Sequence, residues 1–159
     1  MLTDAQQTAL AAAIRASADP TVIAALALRN DVALAEWCNS ASTFVVWRPE
    51  VPVADYRDAI TWTEVDALTT GKARIWEWLT ARMTLPINAA SAAVRQGIAD
   101  AFGAGTATRA ALLAVSKRFA SQVESLFATG TGTDATPGAL IYVGPVSLTE
   151  VSVALNRNP

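Results

Sequence analysis

Residues 61–83 read TWTEVDALTTGKARIWEWLTARM, and they hold three of the five tryptophans, Trp62, Trp76 and Trp78. The other two, Trp37 and Trp47, lie just upstream. Leu68, Ile75, Leu79 and Arg82 recur at helical spacing, which predicts a central helix over about 62–83. Trp78 falls three residues after Ile75 on the same stripe, while Trp76 points about a quarter turn away. Thr61-x-x-Glu64 has the form of a capping box, and Pro86 ends whatever begins there. A helix of that length spans about 30 Å, the width of a small domain.

Working outward, residues 3–18 predict a first helix capped by Thr3-x-x-Gln6, with Leu10 and Ile14 as its apolar stripe. Asp19-Pro20 restarts the chain in a second helix, and Asn30-Asp31 opens a third through Trp37 and Cys38. The β-branched and aromatic run Thr43–Trp47 predicts an extended segment. Arg48-Pro49-Glu50-Val51-Pro52 then forbids helix, so 44–52 is a stiff connector. It either packs on the core or presents Trp47 and Arg48 to a neighbouring subunit. After Pro86, Asn88 caps a helix over 89–102 that Gly103-Ala104-Gly105 stops. Thr106 opens a last long helix, about 106–128, with Leu112, Phe119 and Leu126 seven apart. This helix and the central one are the natural packing pair.

Residues 129–138, TGTGTDATPG, change the texture to glycine and threonine and predict a hinge. Ala139–Val143 then reads as a strand, and Ser147-x-x-Glu150 caps a short final helix with Leu148, Val151 and Leu155 on one face. The expected fold is therefore mainly α: a helical-bundle body over 1–128 and a glycine-hinged tail over 139–159 carrying one strand and a short helix. A lone strand needs an edge. Either it pairs with 44–47 in the same chain, or it adds to another subunit by β-augmentation.

The totals limit what this body can do. Residues of the hydrophobic class make up 52% of the 159 and charged residues 16%, against roughly 25% charged in ordinary soluble domains. So few charges leave weakly polar surface for a second subunit to cover, which predicts self-association. The net charge of −2 comes with no basic block, so no electrostatic footprint for DNA or RNA is present. The longest charge-free run, 135–149, is broken by Pro137, Gly138, Gly144 and Pro145 and falls short of a membrane span.

Reactive constellations are equally scarce. The chain has no histidine, which removes the commonest general base and metal ligand. Cys38, the one cysteine, has no imidazole partner and reads as buried and inert. Gly71-Lys72 resembles the end of a phosphate-binding loop, but Asp66 stands where its first glycine belongs and Ala73 replaces the Ser/Thr. Lys72 precedes Trp76 by four, the spacing of a cation–π pair on one helix face. Asp55 and Asp58 share a helix face and are more simply ion-pair partners of nearby arginines than an acid–base pair. The expectation is a protein with no enzymatic activity, metal or cofactor.

Three stretches together resemble a known group. They are 46–52 (VWRPEVP) with 55–66 (DYRDAITWTEVD); 71–78 (GKARIWEW); and 126–133 (LFATGTGT) with 137–140 (PGAL) and 144–151 (GPVSLTEV). The group comprises small structural proteins of tailed bacteriophages and prophages encoded among head and neck genes, and within it the chain is similar to head–tail adaptors, also called connectors or head-completion proteins. The resemblance implies a ring, commonly of twelve subunits, beneath the portal protein. It implies contact with a stopper or tail protein below, a bore through which DNA passes without sequence-specific binding, no membrane, and a place in the virion neck after assembly in the host cytoplasm. On that reading Leu140, Ile141, Tyr142, Val143, Leu148 and Val151 are the partner-binding candidates. Trp47, Arg48 and Trp76 are the subunit-interface candidates. A tail-completion or stopper protein, another minor virion protein, and a phage-encoded cytoplasmic module using the tryptophans as a binding cluster are the alternatives. No adaptor motif matches residue by residue, so no site is carried over.

Overall fold

A computed structural model describes residues 1–80 and 86–156. The protein is mainly α, with 56% helix. Its described residues form ten helices and a two-stranded antiparallel sheet of β1 (Ala41–Trp47) and β2 (Lys117–Ser121). Two compact units result: Met1–Val45 with Phe119–Pro159, and Val46–Arg118.

The first unit contains α1 (Asp4–Ala16), α2 (Pro20–Ala27), α3 (Asp31–Asn39), α9 (Gln122–Phe127) and α10 (Leu148–Ala154). Its caps are the ones the sequence announces. Thr3 and Gln6 form a full capping box, Asp19 accepts from the Thr21 amide at 2.8 Å ahead of Pro20, and Asn30 accepts from the Ala33 amide at 3.1 Å. Each satisfies amides that a helix start leaves without partners. Leu10, Ile14, Val22, Leu34, Cys38, Val123, Val151 and Leu155 form the core of this unit. The carboxyl-terminal segment is part of that core. The Asn39 side chain pairs with the Val146 backbone in both directions, at 2.9 and 2.8 Å, and Ser152 Oγ donates to Asp31 at 2.6 Å.

The second unit contains α4 (Val53–Asp58), α5 (Trp62–Asp66), α6 (Thr70–Thr80), α7 (Ala92–Ala101) and α8 (Ala107–Val115). Val51, Tyr56, Trp76, Ile98, Phe102 and Leu112 are its principal buried residues. Trp76 meets Phe102 edge-on, ring centroids 5.1 Å apart, a favoured geometry for aromatic pairs.

Several expectations are corrected. The central helix over 62–83 is two helices, α5 and α6, broken at 67–69; residues 81–83, Arg82 among them, lie outside the described residues. The capping box does not close, because the Glu64 carboxylate instead accepts from the amides of Ala107 and Thr108 at 2.9 and 2.8 Å. Thr61 N donates to Thr108 Oγ1, so α5 and α8 cap one another. The last long helix breaks at Ser116: α8 gives way to β2 and then to α9. Strand β1 exposes a row of backbone groups that need a partner. Ser42 Oγ donates to Ala120 O and Gln122 N to Ser40 O, each at 2.9 Å. Phe119 and Leu126, on the supposed seam with buried Leu112, are exposed.

The strand expected at 139–143 is not formed. Ala139 bridges Thr129, and residues 140–143 continue as an irregular turn. The edge it was to fill is taken by β2 and by the loop itself, since Val45 N donates to Gly132 O at 2.7 Å and Gly138 N to Val45 O at 2.8 Å. The glycine-rich segment is consequently a closed loop packed on Phe44. The packing pair is corrected as well: α6 lies against α7, and α8 against α7 and α4. Among the described residues no single helix is long and apolar enough to cross a membrane.

Candidate self-association surfaces

Trp47 ends strand β1, half-buried, with the Arg95 guanidinium 4.5 Å above its ring centroid and the Lys117 ammonium 5.8 Å from it. Arg95 is held there because its Nη1 also donates to Ala89 O and Ala90 O, both at 2.8 Å. The Arg95 and Lys117 contacts are both cation–π, on a tryptophan other than the Trp76 expected to pair with Lys72. Arg48 Nη1 donates to Asp55 Oδ2 and to Val115 O, each at 3.0 Å. It ties the start of α4 to a carbonyl in the last turn of α8, where positive charge is favoured. Asp55 is therefore half of an ion pair.

The interface candidates divide on this evidence. Trp76 is 8% exposed and is a core residue, so its assignment to an interface is corrected. Two residues on, Trp78 is 76% exposed. It stands beside a shallow groove lined by Arg74, Ile75, Leu79, Ala93 and Gly97, where α6 meets α7. Gly97 lets α6 approach α7 closely here: a Cβ there would sit 3.0 Å from both Leu79 methyls. Trp62 is also largely exposed.

The first unit has its own uncovered apolar surface. Ile23, Leu28 and Val32 are exposed around the turn between α2 and α3, Leu28 at 78%. The turn is tight: Asn30 N returns to Ala25 O at 2.8 Å, and Arg29 takes a positive φ of 54°, uncommon for a residue with a side chain. Of the tail candidates, Ile141, Val143 and Leu148 are exposed and Leu140 is partly so. Tyr142 packs edge-on against Phe127, and its hydroxyl donates to Pro145 O at 2.9 Å. Val151 is fully buried in the core, which removes it as a partner-binding residue.

Charge is unevenly shared between the two units. Residues 46–118 hold nine Lys/Arg against seven Asp/Glu, a formal +2, and the remaining residues hold three against seven, a formal −4. Cys38 is buried, and burial pushes its thiol up to about 11, so it is neither a thiolate nor a nucleophile at neutral pH. No group of three metal-ligating side chains occurs among the described residues.

Sequence reasoning overlooked Trp78 as an exposed residue and Leu28 altogether. Arg29-Asn30-Asp31 beside Leu28 was the available signal there, since charged neighbours mark a solvated flank, whereas Glu77 adjoins Trp76 and Trp78 alike and separates neither. Compared with protein families, curated proteins and solved structures, the chain matches none.

Proposed function

We propose that the chain is a structural subunit of a tailed-phage neck, a head–tail adaptor that assembles with copies of itself into a ring joining the portal to the tail and extending the DNA channel. The observation that carries the self-association is Trp78, almost fully exposed beside an apolar groove in a chain of low charge. Large exposed aromatics of this kind are typical anchors of protein interfaces. The phage assignment rests on the three quoted stretches. Ile141, Val143 and Leu148 supply apolar contacts for the portal on this reading, from a tail that is itself anchored. The acidic balance suits a bore past which DNA moves without sticking.

Copy number in purified virions tests the assignment. An adaptor is present at one ring's worth of copies per particle, located at the neck by immunolabelling. Absence from particles, or one or two copies off the axis, contradicts it and favours a cytoplasmic binding module.

A further inference from the structure

Independently of the ring reading, we infer that the second unit is a self-contained insert that closes first and acts as the clip on which the first unit then closes, so that the candidate surfaces form in a fixed order. The second unit is one continuous stretch, Val46–Arg118, and the residues of its core, Tyr56, Trp76, Ile98, Phe102 and Leu112 among them, all lie within it. Bonds across that core join residues 47 to 67 apart: Thr61 N to Thr108 Oγ1, Tyr56 to Ser116, and Arg48 Nη1 to Val115 O. The first unit is assembled from two separated stretches. Leu10, Ile14 and Leu34 come from before the insert, and Val123, Val151 and Leu155 from after it. Its bonds from Asn39 to Val146, Ser152 to Asp31 and Leu2 N to Glu150 span 107, 121 and 148 residues. That core cannot close before α10 exists, and contacts of long separation form late.

The insert leaves on β1 and returns on β2, which pair with one another. Inside the second unit Arg48 N donates to Ser116 O at 2.9 Å; inside the first, Gln122 N donates to Ser40 O at 2.9 Å. A folded second unit thus holds its two ends one hydrogen bond apart and delivers the halves of the first already side by side. An unfolded one leaves those halves joined by a flexible loop of about 70 residues, and closure falls as the −3/2 power of loop length, about 100-fold between a tight turn and such a loop. The surface at Trp78 accordingly forms while the first unit is still open, and the surfaces at Leu28, Ile141 and Val143 follow only when α10 has joined the core.

Full-length chains carrying one buried charge, read by amide hydrogen exchange, test this. Val151 and Leu112 are both fully buried. Val151→Asp opens the first unit: α1 and α3 exchange freely, while α6 and α7 keep wild-type protection. Leu112→Asp opens the second, and protection in α1 and α3 falls with it by at least about 100-fold. Wild type in rising urea gives the same reading should an aspartate chain precipitate: α1 and α3 exchange through an opening that leaves α6 and α7 protected. If Val151→Asp strips all four helices alike, or wild type opens them in one step, the chain is a single cooperative fold and there is no insert. If Leu112→Asp leaves α1 and α3 at wild-type protection, the first unit needs no clip. Either result overturns the folding order and leaves the ring reading as it stands.

Discussion

Trp76 and Trp78, two residues apart on α6, meet opposite environments: the first is 8% exposed with its ring edge-on to Phe102, the second 76% exposed. A helix turns about 200° over two residues, so one of such a pair faces the core and the other faces out. The two substitutions therefore separate. Trp76→Ala destabilises the fold by about 3–5 kcal/mol through lost burial and a cavity. Trp78→Ala leaves stability within about 0.5 kcal/mol. Urea unfolding of both variants checks this, and similar losses in the two would contradict it.

The Tyr56 hydroxyl lies 2.6 Å from Ser116 Oγ, and Ser116 Oγ donates in turn to Leu112 O at 2.6 Å. Since the serine's one proton goes to the carbonyl, Tyr56 is the donor to Ser116. Tyr56→Phe removes a donor and costs about 1 kcal/mol, whereas Ser116→Ala leaves a buried hydroxyl unpaired and costs about 1–3 kcal/mol. The order of the two unfolding midpoints, Ser116→Ala below Tyr56→Phe, is the readout.

Gly132 has a φ of +65°, and a Cβ there would overlap the Phe44 ring. Gly132→Ala combines backbone strain with overpacking and lowers stability by at least about 2 kcal/mol. Phe44→Ala in the same background relieves the overlap, so the double variant loses less than the sum of the singles. Strict additivity in that cycle would show that loop and ring are not coupled.

Acid weakens the fold in a definite window. Glu64 sits below its ordinary 4.5 because of the Thr108 hydroxyl and then the Thr108 and Ala107 amides; Glu150 is lowered chiefly by the Ser147 amide. Depressed carboxyls stabilise the native state above 4.5, and that contribution is lost as pH falls through their native values. The chain has no histidine, so the thermal midpoint stays level from about pH 8 to 5 and falls below about 4.5. Glu64→Gln lowers the midpoint at pH 7 and changes it less at a pH below the carboxyl's native value, where both states hold the proton. An equal loss at both values would rule out the carboxylate as the source.

Deleting residues 139–159 removes Val151, Ala154 and Leu155 from the core of the first unit. The truncated chain loses cooperative unfolding of that unit, seen as exchange-labile amides throughout α1 and α3. A truncated chain in which α1 and α3 keep their protection would restore the picture of a separable arm.

The mainly helical class and most helix starts were legible from short-range chemistry. Thr3, Asp19, Asn30 and Ser147 each put an oxygen within reach of their own helix amides, a requirement met within four residues. Thr61 and Glu64 have the same spacing, yet Glu64 turns to α8, a choice that only tertiary neighbours decide. Seven-residue spacing from Leu112 to Leu126 hid strand β2, although Ser121-x-x-Glu124, a formed capping box, stood inside it and marked the true start of α9. The strand read at 139–143 failed because β1 found its partners in β2 and the glycine loop. Of the candidate surfaces, composition predicts one without placing it; which tryptophan is exposed depends on which flank of α6 meets Phe102, and no spacing rule supplies that.

Native mass spectrometry of the full-length chain, alone and after incubation with portal, tests the ring most directly. A ring subunit gives one closed multiple of the monomer mass, twelve on the adaptor reading. A chain that stays monomeric or dimeric at every concentration, with or without portal, is not a ring subunit.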